Sequence, residues 1–277
     1  MKIDFHIHAF PDAVAPKAIG GLIETVKKLN KHVSGIPCTD GTEAQARRKL
    51  AEYADIGVLM PIATRSGQQA KVNDWARRAA HDGIISFGSV FPFDEDAQDE
   101  LERIKSIGLY GVKLHPDYQG FDVDDERVFP IYEKLQDMAM PVLFHAGVDP
   151  VSLDHIHCRP EAVRKVAEKF PEMRIVAAHL GGNLMYEESK EHLLCAGLEN
   201  LYVDCSMAGF FTTPNEMLEG IRMIEADKVL FATDLPWSDG SNAVKRLDTI
   251  GLNEHELDLI YSKNALKLLG LSEDDLC

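Results

Sequence analysis

A chain of 277 residues, 45% hydrophobic and 27% charged, has apolar material for a sizeable core and fits a single α/β barrel, which typically runs to about 250 residues. The formal net charge of −16 argues against nucleic acid as a partner, because phosphate tracking draws its affinity from clustered Lys and Arg. Five scattered cysteines with no CxxC pair signal neither a disulfide framework nor a thiolate metal site. No run approaches the ~18 apolar residues of a membrane span, so the expectation is a cytoplasmic protein with no membrane partner.

Short apolar runs predict strands, in chain order, at Lys2–Ala9, Gly57–Ala63, Ile84–Phe91, Gly111–His115, Val142–His145, Ile175–His179, Leu201–Cys205 and Val229–Asp234. Amphipathic segments at Thr42–Ala54, Gln69–His81, Ala97–Ser106, Glu126–Ala139, Pro160–Phe170, Leu184–Ala196 and Pro214–Glu225 predict helices between them. Pro160 and Pro214 suit first helical turns, and Gly57, Gly83 and Gly108 suit helix ends. Strand–helix alternation of this kind requires parallel strands with crossover helices, and eight such units close into a (β/α)8 barrel, a single domain over residues 1–277. Pro11–Gly41, with a helix near Pro16–Lys31, reads as an insertion after the first strand, and Leu252–Leu271 as extra C-terminal helices packing on the barrel wall.

In such a barrel the reactive groups lie at the carboxyl ends of the strands, and several predicted strands end in a residue able to bind metal. Strand one ends in His6-Ile7-His8, whose period of two puts both imidazoles on one face. By the same alternation Asp4 is expected on that face, one layer deeper, as a partner for a ligand imidazole, with a polar contact at the barrel floor as the alternative. Strands five, six and eight run into His145, His179 and Asp234. Imidazoles with a carboxylate suit one divalent ion, zinc first, with manganese, iron or cobalt as alternatives.

The ordered set formed by DFHIHAF, GVKLHP, HLGG and TDLPW resembles the amidohydrolase superfamily. Its amidohydrolase-related branch holds metal-dependent hydrolases and decarboxylases of the aminocarboxymuconate-semialdehyde type. The resemblance implies a TIM barrel in which His6, His8, His145 and Asp234 ligate one metal, while Asp234 and His179 handle the proton of an activated water. Lys113 stands where other members of the superfamily carry a carboxylated lysine between two metals. Carboxylation would bring a second ion, whereas a free ammonium would meet a substrate carboxylate. His115, Arg65, Arg159 and Trp237 are candidate substrate contacts, with strand capping the alternative role for His115. His155-Ile156-His157 repeats the HxH pattern in a loop.

The expected activity is hydrolysis of an amide, ester or lactone in a small, carboxylate-bearing substrate. Non-oxidative decarboxylation is the alternative and a non-catalytic binding barrel the remote one. A homo-oligomer is compatible with the sequence.

Overall fold

The computed structural model describes residues 1–29 and 37–276. Eight parallel strands follow in chain order: β1 (Ile3–Ile7), β2 (Ile56–Leu59), β3 (Ile84–Ser86), β4 (Val112–Leu114), β5 (Val142–Phe144), β6 (Ile175–Ala177), β7 (Leu201–Asp204) and β8 (Val229–Leu230). Each overlaps its predicted range and stops short of the predicted carboxyl end. The terminal residues of the apolar runs leave the ladder and take up other partners at the mouth.

The strands pair in the runs β1-β2-β3 and β4-β5-β6-β7-β8. Two seams join the runs into a closed (β/α)8 barrel. At one, Gly88 bridges to Val112 and Lys113 N donates to Gly88 O at 2.8 Å. At the other, Phe5 N donates to Phe231 O and Asp234 N to His6 O, each at 2.8 Å, and Ile7 bridges to Leu235. Closure leaves no strand edge exposed.

Ile3, Phe5, Val58, Met60, Phe87, Leu143, Val176, Tyr202 and Leu230 pack together in one buried cluster, and the alternate residues of the same strands pack outward against the helices. The C-terminal helix Asn264–Leu269 sends Ala265, Leu266 and Leu268 into the inner cluster, while Ile260 and Tyr261 before it join the outer one, so this segment does more than cover the wall.

Six crossover helices match prediction closely, at Glu43–Leu50, Gln69–Ala79, Ala97–Ser106, Phe129–Asp137, Pro160–Lys169 and Pro214–Ile224. The segment after β6 is one α-turn, Tyr186–Ser189, continued as a wider π-turn over Lys190–Leu194. Gly240–Thr249 is a further helix that the sequence hid: it opens on the loop-like run Ser238-Asp239-Gly240-Ser241-Asn242, is capped by Asp239 Oδ1 accepting from Ser241 N, and buries only Gly240 and Leu247. In the insertion after β1, a helix spans Ala15–Leu29; residues 30–31 of the expected helix lie outside the described residues. The insertion returns beside β8, where Cys38 N donates to Pro236 O at 2.8 Å.

Candidate metal centre

The site begins with an irregularity in β1. Its pairing with β2 runs Asp4 to Gly57 and then Ile7 to Leu59, a one-residue shift that marks a bulge. The bulge reverses the alternation partway along the strand. Ile3 and Phe5 pack inside the barrel and Ile7 packs outside with the wall helices. His6 and His8 enter the mouth, and Asp4 turns away from them into the β1–β8 seam.

The expected role of Asp4 behind a ligand imidazole is therefore corrected. Its carboxylate accepts from Tyr53 Oη at 2.7 Å, Thr233 Oγ1 at 2.6 Å, Thr233 N at 3.0 Å and the His6 backbone N at 3.2 Å. Burial, opposed by these bonds, raises it to about 7.

The residue that stands behind His6 is Asp204, at the carboxyl end of β7. Oδ2 accepts from His6 Nδ1 at 2.8 Å, and Oδ1 accepts from His179 N at 2.9 Å, Ser206 N at 3.0 Å and Ser206 Oγ at 2.5 Å. Burial alone would raise this carboxyl, but the neighbouring histidines and these hydrogen bonds hold it below the ordinary carboxylate value. His8 Nδ1 is engaged in the same manner, by Met60 O at 2.8 Å.

With both Nδ1 atoms donating, the Nε2 atoms of His6 and His8 face each other as lone pairs 3.1 Å apart. Asp234 Oδ1 lies 3.2 Å from His8 Nε2 and 3.7 Å from His6 Nε2. Three donor atoms with no proton between them repel unless a cation joins them, and two neutral imidazoles with one carboxylate are the donor chemistry of a divalent first-row ion. The residues present thus fit a divalent metal. Burial, then Lys113, push His6 down to about 4, which keeps its ring neutral as ligation requires. Asp234 is held below its ordinary value: burial works against this, and a proton shared with His8 outweighs it wherever a cation does not take that proton's place.

His145 stands beside this triple rather than within it. Its Nδ1 lies 3.0 Å from His179 Nε2, whose Nδ1 lies 2.9 Å from Ser206 Oγ. Because the Ser206 hydroxyl hydrogen goes to Asp204, the network assigns donors in sequence: His179 Nδ1 gives to Ser206 and His145 Nδ1 gives to His179. His145 Nε2 remains a buried lone pair with no hydrogen-bond partner. That nitrogen lies 3.7 Å from Asp149 Oδ2, in a group with His115 and Asp149 that is separate from the His6–His8–Asp234 triple.

His179 reaches the mouth only because its backbone is left-handed, with φ +61°. Val176 and Ala178 face inward, so regular alternation would have sent it outward.

Lys113 is buried on β4 with Nζ 3.4 Å from His6 Nε2, and burial pushes it down to about 8. His115 does not cap the following helix with its side chain. Its ring is sandwiched between Tyr118, at 3.8 Å and 6°, and His145, at 4.2 Å and 7°, and its Nε2 lies 3.5 Å from Asp149 Oδ2.

The remaining expected contacts fare unequally. Trp237 follows Asp234 closely, partly buried, its N donating to Asp234 O at 2.8 Å. Arg65 is exposed in the turn after β2. Arg159 is not brought to the site: exposed at the start of Pro160–Lys169, its guanidinium pairs with Glu188 at 2.5 Å. Asp204, Ser206, Tyr118 and Asp149 are site residues that the sequence reading passed over. Asp204 carried the same signal as its neighbours, a carboxylate closing an apolar run; Tyr118 lies in the four-residue helix Pro116–Gln119, and Ser206 and Asp149 lie in loops.

The family model described as Amidohydrolase matches residues 3–271, and the chain belongs to that family. Among curated proteins it is 24% identical over 188 residues to dihydroorotase of Pseudomonas putida, covering 64% of this chain and 47% of that one. It is 23% identical over 227 residues to gamma-resorcylate decarboxylase of Polaromonas sp., covering 64% and 67%. The chain thus spans about half the length of the dihydroorotase. Among solved structures it is similar to a TIM-barrel protein of Bordetella bronchiseptica (TM-score 0.73, 20% identity, 97% and 98% of the two chains). It is also similar to a dihydroxybenzoic acid decarboxylase of Polaromonas sp. bearing manganese and 2-nitroresorcinol (0.72, 17%, 99% and 98%). A third likeness is to a candidate 2-pyrone-4,6-dicarboxylic acid hydrolase of Pseudomonas putida (0.67, 17%, 97% and 97%). At these identities the structural likenesses show the barrel. No helix among the described residues is long and apolar enough to cross a membrane.

Proposed function

We propose that this protein is a metal-dependent hydrolase acting on a cyclic ester or amide that carries a carboxylate. The observation that carries the reading is Asp234: a carboxylate kept ionised at the meeting point of His6 and His8 is both a ligand and a base. A divalent ion would be held by His6, His8 and Asp234, with His145 beside them as the expected further donor, and would supply Lewis-acid activation of water; zinc is our choice from the imidazole-rich donor set.

Asp234 accepts the proton of the attacking water, and His179, whose Nε2 shares a hydrogen bond with His145 Nδ1 at 3.0 Å, is the second group able to take or return a proton. Lys113, buried at the barrel centre, meets the substrate carboxylate as an ammonium.

The test is a panel of lactones, cyclic amides and aromatic carboxylates incubated with the metal-loaded protein while acid and carbon dioxide are measured. Acid release from a carboxylated lactone or cyclic amide is expected. Carbon dioxide release without hydrolysis establishes the second reading, a non-oxidative decarboxylase, which the buried Lys113 and the gamma-resorcylate decarboxylase likeness both favour.

A further inference from the structure

The second HxH of the chain, His155-Ile156-His157, takes no part in the central site. It lies in the loop between β5 and the helix Pro160–Lys169, and there it meets Asp122 from the loop after β4. His155 Nε2 is 2.6 Å and His157 Nδ1 2.9 Å from the same oxygen, Asp122 Oδ1, and the two rings stand edge to face with centroids 4.4 Å apart. We propose that Asp122, His155 and His157 form a second, peripheral zinc site on the rim of the barrel mouth.

Three features support it. The donor types are right: two imidazoles and a carboxylate suit zinc and leave a position for water. The spacing is right as well, since donors around a tetrahedral ion at ~2.1 Å stand about 3.4 Å apart, so the two separations from Asp122 Oδ1 need to open by less than about 1 Å to admit one. The backbone also presents the donors in advance, because Val123 N donates to His157 O at 2.9 Å, Asp125 N to Asp122 O at 2.9 Å, and Ser152 Oγ to His155 O at 3.0 Å.

Side-chain exposures of 59% for His155, 49% for Asp122 and 20% for His157 make the site open and its ion exchangeable, unlike the buried central one.

Its position gives it a role. The loop after β4 carries Tyr118, and the loop after β5 carries Asp149, both of which bear on the His115–His145 stack. Zinc bound across Asp122 and the two histidines fastens these loops to each other and holds the rim in the arrangement described.

Equilibrium dialysis of the full chain against zinc, read by elemental analysis, tests this on the wild type, His155→Ala/His157→Ala, Asp122→Asn and His6→Ala/His8→Ala. The wild type should bind one equivalent more than the His155/His157 variant, the His6/His8 variant should keep that equivalent, and Asp122→Asn should weaken it at least about tenfold. Equal zinc content in the wild type and the folded His155/His157 variant overturns the proposal, as does undiminished affinity in Asp122→Asn. Neither result depends on the reaction catalysed at the central site.

Discussion

At the residue scale, the donors of the central triple were legible because each sits in or just after an apolar run. Strand ends announce themselves; loop residues do not. Their orienting partners were less so. Asp204 holds the His6 tautomer through a 2.8 Å bond and is itself held by Ser206 and His179. Asp204→Asn should weaken metal binding about 10- to 100-fold, measured by competition with a chelating dye, while circular dichroism stays that of the native protein. In the proposed mechanism Asp234→Asn would remove the base and weaken the metal's hold, so turnover of the panel's active substrate should fall by about 10²–10⁴-fold even at saturating metal. Turnover within a few-fold of wild type would rule out the proton-handling role.

At the element scale, strand order and helix positions followed from periodicity, but two deviations did not. The β1 bulge cannot be read from Ile3-Asp4-Phe5-His6, because strict alternation puts Asp4 with the histidines and only pairing with β2 reveals the slip. The consequence is a polar joint in the seam, where Asp4 gathers Tyr53, Thr233 and the His6 backbone. Asp4→Ala leaves those buried donors without an acceptor, at about 1–3 kcal/mol each, so a large fall in melting temperature is expected; Tyr53→Phe, which removes one bond, should cost about 1 kcal/mol. Gly147 is the other deviation. It has φ +85°, and a Cβ there would stand 2.3 Å from Asn183 N, where the loops after β5 and β6 exchange Asn183 N to Ala146 O and Val148 N to Asn183 O. Gly147→Ala should lower the melting temperature and disturb His145, two residues away, more than an alanine at the open position Gly67 does.

At the scale of the whole molecule, the barrel was readable because eight strand–helix repeats admit few closed arrangements, while the helix Gly240–Thr249 escaped because its capping run resembles a turn. A metal bound at the central triple would stabilise the folded chain by mass action: at a hundredfold excess of free metal over the dissociation constant the gain would be about 2.7 kcal/mol. Chelator treatment should therefore lower the melting temperature and abolish activity together, and metal return should restore both. Loss of activity with an unmoved melting temperature would place the functional metal elsewhere.

The β1–β8 seam has one more implication. His6 and His8 belong to the first strand and Asp234 follows the last, so the ion would be gripped by opposite ends of the barrel's path. An ion held there would tie the first strand to the residues that follow the eighth, so that filling the triple and closing the barrel would reinforce one another.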